Sequence, residues 1–163
     1  MEKVRTSGRN DCLVQFSTGK AVLTYGYWEE EQDGEMVGYS WQHTWHTPPS
    51  NQEVVDLIVS AINTHTDERI LSGYVWKGVN VWLSQENQFN FKAAYDVAVQ
   101  ANGAILPITF KLGERDGAPV YHTFNDMTEF AGFYTGAIAF IQNTLAEGWA
   151  EKDAARRKFE TND

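Results

Sequence analysis

The sequence predicts an α+β fold in which antiparallel β-hairpins are each followed by an amphipathic helix, as recurrent ββα units. Short turns separate runs that are rich in aromatic and β-branched residues, which is typical of hairpins. The turns contain Asp33-Gly34, Lys77-Gly78 and Asp116-Gly117. A residue that can cap a helix follows each hairpin, at Ser50, Ser84 and Asn125. The three units begin near Asp11, Ile70 and Ala104.

The N-terminal region is predicted to hold a strand at 11–16 and a hairpin around Asp33-Gly34. Alternation places every second residue of the second arm on one face, which is the first candidate core. These residues are Val37, Tyr39, Trp41, His43 and Trp45. Ser50 and Glu53 have the form of a capping box, and a helix is expected over 51–63. The polar NTHTDER stretch then indicates a connector, so we expect an N-terminal lobe over 1–65 and a second domain over 66–163.

The amide-rich stretch SQENQ is interpreted as the start of a helix and not as a reactive site. Ser84 can accept a hydrogen bond from the first free amides, and Glu86 complements the helix dipole. The helix is predicted over 85–101 and ends at Asn102-Gly103. Its apolar side is predicted to be broad, with Phe89, Phe91, Ala94, Tyr95, Val97 and Ala98.

The third unit ends in the longest helix, for which Asn125 is the predicted cap. An apolar stripe recurs at alternating spacings of four and three, and further apolar residues widen it. The stripe is Met127, Ala131, Tyr134, Ile138, Ile141 and Leu145, widened by Phe130, Phe133, Ala137 and Phe140. This width favours packing within the chain over a coiled coil between copies. Beyond Trp149 the composition becomes polar, and the helix is expected to fray.

Composition excludes several classes of partner. The formal net charge is -9, from 22 acidic and 13 basic side chains, which disfavours a nucleic-acid surface. No window approaches the roughly 20 apolar residues of a membrane span, so we expect a soluble protein made in a reducing cytosol. Cys12 is the single cysteine, and it is expected to be a small buried residue in a strand.

The sequence contains no pattern of reactive residues that indicates catalysis. The STGK stretch at 17–20 lacks the flanking residues of a phosphate loop. His43 and His46 are three apart on a predicted strand, and this spacing opposes joint metal binding. His65 and His122 could each act as a base, but no nucleophile is tied to either by spacing. We therefore expect no enzymatic activity, no catalytic residue, no cofactor and no metal.

Aromatic residues are the strongest candidates for a binding surface. Most Trp residues in predicted strands are expected to pack in the core: Trp28, Trp41, Trp45, Trp76 and Trp82. Tyr27 and Trp28 are adjacent on one strand, however, so one of the two rings must face away from a single core. The candidate surface consists of Tyr27, Trp28, Tyr39, Trp41 and Trp45.

Residues 66–155 resemble a family of small uncharacterised proteins from tailed phages and prophages of Bacteroidales. The resemblance rests on ILSGYVWKGVNVWLSQENQFNFKAAYDVAVQ, followed by LPITFKLG, PVYHTF and FIQNTLAEGWAEKDA. Its most specific part is WLSQENQFNFKAAYD, and residues 1–65 lie outside it. The family has no catalytic residues to carry over, and the resemblance implies a component of the virion or an assembly factor for one.

Three functions follow from these expectations. The first is a non-enzymatic structural or interaction protein of the phage tail or tail fibre, with other tail or fibre proteins or copies of itself as partners. The second is an assembly chaperone that is not retained in the virion. The third is a carbohydrate-binding module that uses exposed Trp and Tyr side chains.

Overall fold

The computed structural model describes residues 1–159, and its order of strands and helices confirms the α+β prediction. Each helix follows an antiparallel hairpin. The first group is β1 (Glu2–Arg5), β2 (Cys12–Gln15), β3 (Ala21–Gln32), β4 (Glu35–Trp45) and α1 (Asn51–Ser72). The second group is β5 (Tyr74–Trp76), β6 (Val79–Val81) and α2 (Gln85–Gln100). The third group is β7 (Ile108–Arg115), β8 (Ala118–Phe124) and α3 (Met127–Phe159).

The chain divides into two compact units. The first unit comprises Met1–Ile62 and the C-terminal segment that begins at Glu151, and the second unit comprises Asn63–Ala150. The sequence had suggested a single boundary between residues 65 and 66, with the C-terminal residues in the second domain. Both limits of the second unit fall inside helices, one in α1 and the other in α3.

The three predicted hairpin turns share one backbone geometry. Both central residues of each turn have positive φ, with values of 52° and 82° for Asp33 and Gly34. Lys77-Gly78 and Asp116-Gly117 have the same signs. Two positive values define the type I′ turn, whose twist matches that of the flanking strands. These short turns therefore fix the registers of β3 with β4, β5 with β6 and β7 with β8.

The first unit is a four-stranded antiparallel sheet packed against helices, in the order β1-β4-β3-β2. Its core contains Leu23, Val54, Val55, Ile58, Ile62, Ala155 and Phe159. The sequence did not predict β1, which pairs with β4. A bulge interrupts β3 at Gly26, whose φ is 66° and whose amide donates to Asp11 Oδ1 at 2.8 Å. The predicted capping box is confirmed, because Glu53 N donates to Ser50 Oγ and Ser50 N donates to Glu53 Oε2.

Helix α1 is longer than predicted, and the NTHTDER stretch is not a connector. The helix continues to Ser72, so His65 lies within it. Thr66 is buried, and a Cβ atom at Gly148 would come within 2.6 Å of its Oγ1. Arg69 forms a salt bridge with Glu147. These polar residues remain helical because α1 and α3 pack closely through a glycine, which local composition does not reveal.

The expectation that the last helix frays beyond Trp149 is wrong. Helix α3 continues to Phe159, and both Ala155 and Phe159 are buried in the core of the first unit. The two residues lie four apart, so they share one helical face. These two residues anchor the polar segment in the core, although they form too short a pattern to predict.

The core of the second unit is rich in aromatic side chains from α2, α3 and the two hairpins. Phe91, Phe124, Phe130 and Phe133 are buried in it. On α3 the central buried line runs through Phe130, Phe133, Ala137 and Thr144, whereas Ile138 of the predicted stripe is exposed. The cap of α3 is Asp126 and not Asn125, because Glu129 N donates to Asp126 Oδ1 at 2.9 Å.

Two further expectations concern the single cysteine and membrane-spanning helices. Cys12 lies in β2 as a strand residue but is exposed, so the prediction of a buried thiol is wrong. Within residues 1–159, no helix combines the length and the apolar character that crossing a bilayer requires.

Candidate functional site

Three of the five predicted aromatic residues form one cluster on the sheet of the first unit. The ring centroids of Trp28 and Trp41 lie 5.1 Å apart, and those of Trp28 and Tyr39 lie 5.8 Å apart. Tyr39 and Trp41 lie two residues apart on β4, so their side chains are on the same face of the sheet. The bulge in β3 brings Trp28 opposite Tyr39. Trp41 is exposed, and the other two rings are half-buried. We call these three residues the aromatic cluster.

Lys3 and Glu30 cover part of the aromatic cluster and pair with each other. Lys3 Nζ lies 4.1 Å from the centroid of the Tyr39 ring and 2.6 Å from Glu30 Oε2. Trp28 Nε1 donates to Glu30 Oε1 at 2.8 Å. The hydrogen bond from Lys3, followed by that from Trp28, lowers the pKa of Glu30. The Lys3 ammonium group, the Glu30 carboxylate and the Trp28 indole N–H are thus paired with one another beside the rings.

The other two predicted residues lie elsewhere in the first unit. Tyr27 packs against Gly38, where an added Cβ would come within 2.6 Å of the Tyr27 hydroxyl oxygen. Its hydroxyl donates to Glu29 Oε1 at 2.7 Å, and this hydrogen bond raises the pKa of Tyr27. Trp45 packs against the core, and its ring contacts the His43 ring edge to face, with the two ring centroids 4.5 Å apart. The structure therefore does not gather all five residues into one surface.

Helix α2 presents an apolar stripe to solvent, although two of its residues, Phe89 and Val97, belong to the apolar side that the sequence predicts for this helix. Phe89 is 70% exposed, and Ala93 and Val97 are exposed one and two turns further on. The buried side of the helix is formed by Phe91 and Ala98. Because residues four apart share a face, Phe89, Ala93 and Val97 form one line along the outside of the helix. We call it the outer stripe of α2.

The amide-rich stretch joins β6 to α2 through hydrogen bonds to the backbone. Ser84 Oγ accepts from Asn87 N at 3.2 Å, which confirms the predicted cap. The side-chain amide of Asn87 donates to Trp82 O at 2.8 Å, and that of Gln88 donates to Leu83 O at 2.7 Å. These side chains fix the angle at which the helix leaves the strand.

A groove of about 600 Å³ opens beside this junction in the second unit. Its walls come from the end of α1, from β6, from the start of α2 and from β7. Trp82 is 49% exposed and contributes the one aromatic side chain of the lining. The principal polar side chains are Asn80, Ser84, Glu86, Asn87, Lys111 and Glu114. The cavity has the size of a small-molecule site and combines apolar with polar walls.

The backbone around the groove is closely packed. Trp82 N donates to Leu112 O at 2.7 Å, which ties the end of β6 to β7. A Cβ atom at Gly113 would come within 2.1 Å of Asn80 O, so the two strands approach at a distance that only glycine allows. A bulge between Lys111 and Gly113 accompanies this approach. The walls of the groove that come from β6 and β7 are therefore held together by direct backbone contacts.

A second group of ionisable residues in the same unit surrounds His122. Glu129 Oε1 lies 3.0 Å from His122 Nε2 and also accepts from Lys77. The hydrogen bond from Lys77, which outweighs that from His122, lowers the pKa of Glu129. These contacts link the β5–β6 hairpin and β8 to the first turn of α3. Among residues 1–159, no three His, Cys, Asp or Glu side chains are grouped to hold a metal ion.

The sequence interpretation missed Trp82 as a surface residue, although the strand pattern contains a signal for it. Val79, Val81 and Leu83 alternate into the core, so Asn80 and Trp82 must face the other way. Lys111 and Glu114 could not be linked to Trp82 from the sequence, because β6 and β7 are separated by a helix.

Comparison of the chain with models of protein families, with curated proteins and with solved structures finds no match.

Proposed function

We propose that the protein is a non-enzymatic structural or interaction protein of a tailed phage or prophage, associated with the tail or tail fibre. The resemblance of residues 66–155 supplies this setting. The observation that carries the proposal is the outer stripe of α2, where Phe89 is 70% exposed on a well-anchored helix. Phe89 lies within WLSQENQFNFKAAYD, the most specific part of the resemblance.

An exposed aromatic residue on a rigid helix is suited to protein recognition. A large apolar side chain in water gains free energy when a partner covers it, at about 25 cal/mol per Å² of apolar area buried. The hydrogen bonds of Ser84, Asn87 and Gln88 hold the first turn of α2 in place, so docking need not order the helix. The partner that fits is another tail or fibre protein that offers an apolar surface. A second copy of this chain is the alternative occupant.

The docking role of the stripe is tested with Phe89→Ser and a matched control. Tyr121→Ser is the control, because Tyr121 is 64% exposed in the same unit but lies on β8. In phage-producing cells that carry either variant, chemical crosslinking and mass spectrometry measure association with tail and fibre proteins. We expect Phe89→Ser to lose these crosslinks and Tyr121→Ser to keep them. Equal crosslinking by wild type and Phe89→Ser would contradict the proposal.

Mass spectrometry of purified virions separates a structural component from an assembly chaperone. A structural component is expected in the particles in constant proportion to the other tail proteins. A chaperone is expected to be absent from the particles, while deletion of its gene yields particles without fibres. If the chain is absent and its deletion leaves the particles intact, neither role holds.

A further inference from the structure

We infer that the groove beside Trp82 is a binding site for an uncharged saccharide, with a sugar ring stacked on the exposed indole. A saccharide site goes beyond the proposed docking role and lies on a different surface of the second unit. The groove lies between β6, the start of α2 and β7, whereas the outer stripe lies on the solvent face of α2.

The exposed ring and the volume of the groove suit a sugar. Trp82 is half-exposed within a cavity of about 600 Å³, which lies in the range of small-molecule sites. One face of a pyranose ring consists of C–H groups, so it can cover an indole face and displace water from it. The hydroxyl groups at the edge of the sugar then point toward the surrounding walls.

The walls offer both hydrogen-bond donors and acceptors. Within residues 1–159, neither the side-chain amide of Asn80 nor the carboxylate of Glu86 forms a hydrogen bond or ion pair with another residue. Asn80 can donate and accept, and Glu86 can accept. Lys111 retains further N–H donors after its contact with Glu114 at 2.8 Å. A sugar hydroxyl both donates and accepts, so it can use each of these groups.

The charges of the groove disfavour ionic ligands. Lys111 and Glu114 neutralise each other, so among the lining residues within 1–159 Glu86 is the single unpaired charge. A phosphate or sulfate group would meet this carboxylate without a free cation to offset it. An ammonium group only donates hydrogen bonds, so it would leave the donors of Asn80 and Lys111 unused. An uncharged polyhydroxyl ligand matches the lining better than either.

The backbone that carries the Trp82 side chain is held before any ligand binds. The backbone N–H of Trp82 donates to Leu112 O, and its backbone carbonyl oxygen accepts from the Asn87 side chain. Close contact between Gly113 and Asn80 holds the neighbouring wall. Because this backbone is already held, binding has to order the indole side chain but not the chain that carries it, which lowers the entropic cost of binding.

The test uses the full chain on an array of neutral, anionic and cationic oligosaccharides, followed by titration calorimetry with the neutral oligosaccharides that bind. Trp82→Ala is expected to weaken binding by about tenfold or more, and Asn80→Ala to weaken it less. Trp149→Ala is the matched control, because Trp149 is 59% exposed in the same unit but outside the groove. We expect this control to bind as the wild type does.

Glu86→Gln distinguishes a sugar from a cation, because it removes the charge but keeps an acceptor. A saccharide site is expected to retain most of its affinity in this variant. Absence of binding to every neutral oligosaccharide, or equal losses in Trp82→Ala and Trp149→Ala, would overturn the inference. Binding that is restricted to cationic oligosaccharides and lost in Glu86→Gln would overturn it as well. Because Asn80→Ala and Glu86→Gln alter exposed side chains, they keep the test decisive if Trp82→Ala fails to fold.

Discussion

Replacing Phe91 with alanine is expected to destabilise the second unit strongly, whereas the same change at Phe89 should have little effect. Phe91 is 2% exposed and contacts Phe110 and Phe133 edge to face, with ring centroids 5.0 and 5.1 Å apart. A buried Phe→Ala change costs about 3–5 kcal/mol. Each aromatic pair contributes about 0.5–1.5 kcal/mol beyond burial. The two contacts therefore place the expected loss in the upper half of that range.

Phe89 provides a close control because it lies two residues away on the same helix. The gain in helix propensity from Phe to Ala is the same intrinsic term at both positions, so it cancels in the comparison. Phe89 is 70% exposed, and its replacement is expected to change the free energy of unfolding by no more than about 0.5 kcal/mol. The two variants should therefore differ by about 3 kcal/mol or more.

Urea unfolding followed by far-UV circular dichroism measures this difference. Native-state hydrogen exchange of the α2 amides provides a second measure, because two units can unfold in separate transitions. Equal losses of stability from Phe89→Ala and Phe91→Ala would refute the assignment of the two faces of α2. The outer stripe would then have to be buried, and the proposed docking role would fall with it.

Three further predictions concern a cap, a thiol and a phenol. Ser84→Ala is expected to lower the free energy of unfolding by about 1 kcal/mol in the same urea assay, whereas Ser84→Asp keeps a capping oxygen and should lose less. Cys12 is expected to react with a thiol reagent in the native protein nearly as fast as in the unfolded chain, and slow native labelling would contradict its exposure. Burial, and then the charge of Asp11, raises the pKa of Tyr25 from its ordinary value of 10 to about 12. The raised pKa of Tyr25 therefore stabilises the folded protein fully below pH 10, and this stabilisation is lost as the pH rises toward 12, because the phenol ionises at lower pH in the unfolded chain. Tyr25→Phe should remove this part of the pH dependence of the free energy of unfolding.

Local chemistry made the turns and two of the helix starts predictable. Asp33-Gly34 adopts the positive φ values that a two-residue hairpin requires, and Ser50 and Ser84 cap the helices that follow them. The predicted cap of α3, Asn125, is one residue before the observed cap, Asp126. Both residue types can cap a helix, and only the structure distinguishes them.

Features that depend on distant partners could not be predicted from the sequence. Thr66 is polar, yet it is buried against Gly148. It lies in a part of α1 beyond residue 63, where the polar composition predicts the end of the helix. Phe89 and Phe91 are the same residue type, and periodicity alone did not separate the exposed ring from the buried one. The groove requires the approach of Gly113 to Asn80, which lie on strands with a whole helix between them in the sequence.

The discontinuous composition of the first unit constrains the order in which the chain can fold during synthesis. Its core includes Ala155 and Phe159, so this core cannot be completed until those residues have left the ribosome. The second unit is one uninterrupted segment, Asn63–Ala150, so all of it has been translated before Ala155 and Phe159. The part of the chain that is translated first is therefore expected to reach its native state last, and until then the nascent β3–β4 ribbon must stay soluble without its final covering residues.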